Sequence, residues 1–242
     1  MTAGDDGSFA LSTLAPGPHA LDIRRPGETR PWCSVDGAEV RAGETTALGD
    51  VLLPPTDWRH CFDGRTLDGW REGDFYGKRP LRVEGDWIEM PAGDDMTGVT
   101  WAGDMPRAEY EVSLQAMRVG GGDFFCGLTF PVGESYCSLI LGGWGGSVVG
   151  LSSLDYADAS ENETTQWIQF RTGQWYRVRV RVTEGRIRAW LDGKKLVDAA
   201  TANRKVSTRI EMEPSKPFGI ATWRTTGAAR DIRVRELGAG EK

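Results

Sequence analysis

The chain has 242 residues, enough for one large domain or two smaller ones with a buried core. Its formal net charge of -6 provides no long-range attraction to phosphate backbones, so nucleic acid is not an expected partner. No segment approaches the ~20 apolar residues that a membrane helix requires, and the polar, acidic residues 1–8 do not form a signal peptide. We therefore expect a chain that does not span a membrane.

The first 55 residues contain short alternating segments separated by Gly and Pro, a pattern that predicts strands and turns. The strings DGSFALSTLAPGPHALDIRRPG and VRAGETTALGDVLLPP resemble the latter part of a carboxypeptidase regulatory-like domain, a small immunoglobulin-like sandwich. The first strands of that domain have no counterpart here. We predict a partial immunoglobulin-like β unit at residues 1–55, with an open sheet edge that pairs with the larger domain or with another chain. The strands predicted in this unit are residues 9–11, 19–24, 38–42 and 51–53.

Pro54 and Pro55 mark the boundary to a second domain at residues 56–242, where period-two alternation is strong. Residues 109–117 and 175–183 alternate apolar and polar side chains, which is typical of strands with one buried face. A turn at 184–185 then places Arg179 opposite Trp190. Further strands are predicted at residues 81–84, 87–90, 99–101, 124–130, 138–141, 147–152, 166–170, 186–191, 218–223 and 230–237.

About a dozen strands without a helical period predict an all-β fold, a two-sheet jelly-roll sandwich of the concanavalin or LamG type. The four cysteines form no CxxC pair and His19 and His60 are the only histidines, so a zinc-finger site is disfavoured. Cys126 and Cys137 flank a Pro-Val-Gly turn, and two interpretations are open: a disulfide in an oxidising compartment, or two buried thiols.

Residues 58–237 resemble the 3-keto-disaccharide hydrolase family. The matching strings are CFDGRTLDGW at 61–70, LRVEGDWIEM at 81–90, GQWYRVRVRVTEGRIRAWLDGKKLVD at 173–198 and PFGIATWRTTGAARDIRVREL at 217–237. The resemblance implies a concanavalin-like jelly roll, a carbohydrate ligand, cleavage of glycosides oxidised at carbon 3, and a periplasmic or cell-surface location. Residues 121–167 depart from the family pattern and contain no histidine, so His60 is the only histidine available to the sandwich.

Elimination from a 3-keto-glycoside needs a base for the C2 proton and an acid for the departing oxygen, which carboxylates and tyrosine must supply here. These side chains are most concentrated in residues 155–163. Repulsion between the carboxylates there predicts a raised carboxyl pKa or a bound calcium or other divalent cation. A solvated acidic loop is the alternative. The candidate catalytic residues are Glu161, Glu163, Asp123 and Tyr156, and the candidate metal ligands are Asp155 and Asp158.

Trp144 lies between glycines in the string LGGWGGS, which predicts an indole that stands free to stack on a sugar ring. The alternative is a tight turn with the indole in the core. Trp223, Arg224 and Asn162 are further candidate binding residues, although Trp223 and Arg224 point to opposite faces if that segment is extended.

Strands 175–183 and 186–191 carry a row of arginines, for which two interpretations are open. The row binds an anionic sugar or another protein, or it forms a solvated face paired with acidic residues. The row consists of Arg177, Arg179, Arg181, Arg186 and Arg188. Three functions follow from the sequence: a hydrolase or lyase acting on 3-keto-glycosides, a noncatalytic carbohydrate-binding module, and an adhesion or scaffold module of a larger surface protein.

Overall fold

The computed structural model describes residues 8–24, 33–51, 58–238 and 240–241. It divides the chain into two compact units, Met1–Thr56 and Asp57–Lys242. None of the helices among the described residues is long and apolar enough to cross a membrane.

The described part of the N-terminal unit contains two strands, β1 (Gly17–Ile23) and β2 (Cys33–Val40), which pair antiparallel. The strand predicted at residues 9–11 does not form, and Val51 lies outside any strand. Its predicted continuation at 52–53 and the boundary at 54–56 lie outside the described residues. A two-stranded ribbon is marginal in water. In agreement, no side chain whose burial is described in this unit is fully buried.

In the larger unit, the described strands form two antiparallel sheets. The seven-stranded sheet has the order β12-β11-β10-β9-β16-β7-β4, the eight-stranded sheet has the order β15-β14-β13-β8-β17-β6-β5, and β3 also pairs with β17. The strands are β3 (Arg59–His60), β4 (Trp70–Glu72), β5 (Arg82–Glu84), β6 (Trp87–Met90), β7 (Met96–Trp101), β8 (Tyr110–Gly121), β9 (Cys126–Val132), β10 (Ser135–Gly142), β11 (Val148–Ser152), β12 (Gln166–Trp167), β13 (Trp175–Thr183), β14 (Arg186–Leu191), β15 (Lys194–Ala200), β16 (Gly219–Trp223) and β17 (Thr225–Glu236).

Alternation along the strands builds the core between the two sheets. In β8, Tyr110, Val112 and Leu114 point into the core and are at most 1% exposed. In β10, Leu139 and Leu141 join the same core from the other sheet. The structure therefore confirms the predicted all-β sandwich.

The outer face of the seven-stranded sheet is covered in part by a second layer of apolar side chains. Ile140 of β10 points to this face and packs with Val148 and Phe124, while Met96 of β7 packs with Met212. The second layer includes a one-turn helix, α1 (Gly143–Gly146), and a 3₁₀ helix, Ile210–Ser215.

The predicted β13–β14 hairpin is confirmed, with Arg179 opposite Trp190 across the pair. Other boundaries differ: the strand predicted at 166–170 is only Gln166–Trp167, and the strand predicted at 124–130 begins at Cys126. Phe124 instead turns outward, onto the second layer.

Of the two interpretations of Cys126 and Cys137, two buried thiols is confirmed and the disulfide is wrong. The two residues belong to the same hairpin but do not face each other, because Cys126 pairs with Leu141 and Cys137 with Phe130. Burial raises the pKa of both thiols to about 12.

Candidate functional site

A groove of about 210 Å³ opens on the outer face of the seven-stranded sheet, where the second layer leaves the sheet uncovered. Its lining combines apolar side chains with a few charged ones, the composition expected of a small-molecule site. The side chains that line it are Met96, Asp123, Phe124, Ile140, Trp144, Arg209, Glu211, Met212 and Trp223.

Trp144 reaches the groove from α1, whose backbone is not helical at its centre. Trp144 has φ 48° and Gly145 has φ 83°, both in the left-handed region. A side chain at Gly142 would meet the Arg118 guanidinium at 2.5 Å, so only glycine fits there. The indole remains 43% exposed, and the alternative of an indole folded into the core is wrong.

Asp123 fixes the same turn from the segment before β9. Its Oδ1 accepts a hydrogen bond from the backbone N–H of Phe124 at 2.7 Å, and its Oδ2 accepts one from Gly145 at 3.2 Å. The backbone N–H of Asp123 donates to Thr225 Oγ1 at 2.9 Å. These bonds hold the Asp123 carboxylate at the groove beside Trp144.

Trp223 and Arg224 separate at the end of β16. Trp223 lines the groove and packs against Phe124, with 6.5 Å between ring centroids. Arg224 has φ 45°, and its guanidinium lies over the Trp223 ring, 5.4 Å from the centroid, and donates to Asp95 Oδ1 at 2.5 Å. Of this pair, therefore, the groove contains Trp223 alone.

No local sequence signal marks Arg209, Glu211 or Met212 as candidates. Arg209 donates to Asp158 Oδ2 at 2.8 Å and to Glu211 Oε1 at 3.0 Å, so both carboxylates fix its guanidinium. The Arg209 guanidinium lowers the pKa of Glu211. Arg209 precedes a short 3₁₀ helix that contains Glu211 and Met212, and the sequence there has no strand or helix period. A hydrogen bond from Thr100 Oγ1 to the Pro214 carbonyl anchors this helix to β7.

The acidic segment 155–163 lies outside the groove lining. Arg204 Nε donates to Asp155 Oδ2 at 2.7 Å, and the same guanidinium binds both oxygens of Glu163. Arg204 therefore lowers the pKa of both carboxyl groups. The predicted rise in pKa is wrong for these two residues, because an arginine more than 40 positions away in sequence compensates their charge.

The side chain of Asn162 is hydrogen-bonded to residues of its own segment and to residues next to that segment in the fold. Its Nδ2 donates to the carbonyls of Leu151 at 2.8 Å and Asp158 at 2.7 Å, and its Oδ1 accepts from Thr164 Oγ1 at 2.6 Å. Glu161 is exposed, and Tyr156 is 82% exposed. In the part of the chain that the structure describes, no three His, Cys, Asp or Glu side chains cluster closely enough to hold a metal ion.

His60 lies in β3, opposite Arg233 of β17, and so belongs to the eight-stranded sheet. It does not line the groove. The proton-transferring groups available at the groove are therefore carboxylates.

An aromatic groove with charged side chains on the outer face of a two-sheet sandwich defines a carbohydrate-active β-sandwich domain. Residues 57–235 match the 3-keto-alpha-glucoside-1,2-lyase-like domain, and the chain belongs to that family. A comparison with curated proteins gave no match.

Solved structures align with this chain at low sequence identity, and the one with a TM-score above 0.5 shares its fold. The Crh5 transglycosylase in complex with NAG aligns with a TM-score of 0.51 at 11% identity, covering 76% of this chain and 85% of that protein. The carbohydrate-binding module CBM66 of Bacillus subtilis aligns with a TM-score of 0.47 at 12% identity, covering 69% and 96%. These similarities concern the fold alone.

Proposed function

We propose that the groove binds one ring of a saccharide between Trp144 and Trp223. The observation that carries this proposal is the convergence of the exposed Trp144, the partly buried Trp223 and the Asp123 carboxylate on one concave surface of a family member. Aromatic faces stack on the C–H groups of a sugar, and a carboxylate accepts hydrogen bonds from its hydroxyls. The volume of about 210 Å³ is below the roughly 300–1,000 Å³ of a site that encloses a whole ligand, which favours a single ring.

The charges at the groove favour an uncharged sugar. Arg209 is the cation of the lining, and Asp158 and Glu211 already compensate it. Asp123 adds a further negative charge. An anionic sugar would therefore meet net repulsion here.

Family membership supports a reaction in this groove, β-elimination from a 3-keto-glucoside. Asp123 takes the C2 proton, and the electron pair of the C2–H bond forms an enolate on the C3 oxygen, which the Arg209 guanidinium stabilises. The enolate then expels the C1 oxygen, which leaves an unsaturated ketone. The departing oxygen takes the proton that Asp123 has removed from C2, because the other candidate acids, Glu161 and Tyr156, lie outside the groove lining.

A turnover assay with 3-keto-trehalose and a 3-keto-α-glucoside, followed by the absorbance of the unsaturated ketone, tests this scheme. We expect turnover by the wild type and a loss of about 10²–10⁴-fold in Asp123→Asn, the range for a general base. Asp104→Asn removes an exposed carboxylate outside the groove lining and should leave the rate unchanged. Absence of turnover by the wild type on both substrates would refute the reaction.

A noncatalytic binding module is the second candidate, favoured by one observation. Both oxygens of Asp123 already accept backbone hydrogen bonds, as expected of a residue that holds a turn. Saccharide binding with turnover indicates the lyase, whereas saccharide binding without turnover indicates the noncatalytic module. Trp144→Ala should abolish saccharide binding in either case, whereas Trp167→Ala, at an indole that is 72% exposed and outside the groove lining, should preserve it.

A third candidate, an adhesion or scaffold module, gains no support from this open, concave groove. If Trp144→Ala and Trp167→Ala bind the saccharide as the wild type does, the groove is not the binding site.

A further inference from the structure

The outer face of the eight-stranded sheet has a hollow of about 370 Å³, on the opposite side of the sandwich from the groove. It lies above Ser113 of β8, which is flanked across the sheet by Arg179 of β13 and Arg233 of β17. Because the Ser113 side chain is short and its two neighbours are long arginines, a hollow remains above Ser113. The lining residues are Ser113, Arg177, Val178, Arg179, Trp190, Asp192 and Gly193.

The hollow carries positive charge that the protein does not fully compensate. Arg177 has no carboxylate within ion-pair distance among the described residues. Arg179 is 3.7 Å from Glu111 Oε1, but Arg181 and Arg235 bind the same carboxylate at 2.7 Å. Arg177 is thus uncompensated among the described residues, and Arg179 shares its one carboxylate with two closer guanidinium groups.

The surrounding side chains hold this charge in place. The Arg179 guanidinium lies 4.0 Å from the ring centroid of Trp190, a cation–π contact that fixes its plane. Asp192 Oδ1 accepts the backbone N–H of Arg177 at 2.8 Å, so the carboxylate stays at the rim. A partly fixed guanidinium loses less conformational entropy when it binds an anion.

We propose that this hollow binds a saccharide through a sugar unit that carries one carboxylate. Arg177 and Arg179 supply paired N–H donors for that carboxylate. Ser113 and Asp192 offer a hydroxyl and an acceptor, which suit the hydroxyls of the same ring. The choice of a saccharide rests on the proposed function, but the hollow shares no residue with the groove.

The charges at the rim favour one carboxylate per sugar unit over a densely charged polyanion. Glu111 lies beneath the arginines, Asp192 lines the hollow, and Asp198 pairs with Arg186 and Arg188 on the next strands. A densely charged polymer would bring further negative charges against these carboxylates.

Calorimetric titration with a tri-uronate tests the proposal. The neutral trisaccharide of the same linkage and a glutamate-rich peptide are comparison ligands, and all three are also titrated into Trp144→Ala, in which the groove does not bind a sugar. We expect Arg177→Gln and Arg179→Gln each to weaken tri-uronate binding at least 10-fold, since a charge-assisted hydrogen bond is lost. Arg71→Gln removes an exposed guanidinium from β4 of the other sheet and should have no effect. Binding by the wild type should weaken as sodium chloride is raised.

The Arg177 side chain makes no hydrogen bond or ion pair with the described residues, so Arg177→Gln should fold normally. If Arg179→Gln is destabilised, Arg177→Gln alone still tests the proposal. Trp144→Ala should bind the tri-uronate as the wild type does, which separates this site from the groove. Three results would overturn the proposal: no binding of the tri-uronate by the wild type, equal weakening by Arg71→Gln, or, in Trp144→Ala, equal or tighter binding of the peptide or the neutral trisaccharide.

Discussion

Arg118 Nη2 donates a hydrogen bond to the carbonyl oxygen of Gly146 at 2.8 Å. Arg118 belongs to β8 of the eight-stranded sheet, whereas Gly146 ends the turn that presents Trp144 beside the seven-stranded sheet. The same Nη2 lies 3.2 Å from the carbonyl of Asp123, and the guanidinium packs on the Phe125 ring at 5.3 Å. A buried cation from one sheet thus supports the groove on the other.

Arg118→Met should weaken both stability and saccharide binding. The substitution leaves the carbonyls of Gly146 and Asp123 without their donor, so we expect a loss of about 2–3 kcal/mol in the free energy of unfolding by urea. Arg171→Met, at an exposed arginine, should change it by less than about 0.5 kcal/mol. Equal free energies of unfolding in the two variants would contradict the supporting role of Arg118.

Asn162→Asp should destabilise the segment 155–163. The carboxylate would face the carbonyls of Leu151 and Asp158 that the amide now binds, and repulsion replaces two hydrogen bonds. We expect a loss of about 2–3 kcal/mol in unfolding free energy and faster proteolysis within this segment. Glu161→Gln, at an exposed neighbour, is the control and should unfold as the wild type does. Unchanged stability of Asn162→Asp would instead leave Asn162 available to a ligand.

The ion pairs of Arg204 should make stability depend on pH. Arg204 lowers the folded-state pKa of Asp155 and Glu163, so these groups stabilise the fold when ionised. Their contribution is present above the unfolded-state pKa values and is lost as the pH falls through the lowered folded-state values. We expect Arg204→Gln to lower Tm clearly at pH 7 and little at pH 2. An equal decrease at both pH values would show that Arg204 acts by packing alone.

The buried thiols should resist alkylation in the native state. Burial raises the pKa of Cys61 to about 11 and that of Cys126 and Cys137 to about 12, so very little reactive thiolate exists at pH 8. Iodoacetamide followed by peptide mass spectrometry should find these three sites unmodified until urea is added. Rapid modification of Cys126 in the folded protein would indicate that β9 opens locally.

Local sequence signals predicted the hairpins well. The Glu184-Gly185 turn and alternating side chains determined the β13–β14 register, including the Arg179–Trp190 pair. The same alternation placed Glu111 on the outer face, but it did not show that arginines from two other strands would bury it to 1% exposure. Partners that are distant in sequence decide such details.

The candidate site was predictable only where a local signal marked it. Glycines around Trp144 and the glycines before Asp123 drew attention to both residues, and the structure places them at one groove. Arg209 and Glu211 carried no such signal, because their position depends on where the 3₁₀ helix packs. The acidic segment had a strong local signal, but its charge is compensated by Arg204, which sequence spacing does not reveal.

The order of strands also has a consequence for biosynthesis. β16 lies between β9 and β7 in one sheet, and β17 lies between β8 and β6 in the other, although both are the last strands along the chain. A nascent chain must hold two half-sheets apart until residues 219–236 leave the ribosome. During that interval the edges of β7 and β9 lack their common neighbour, so stalled or shortened translation products of this protein should be prone to aggregation.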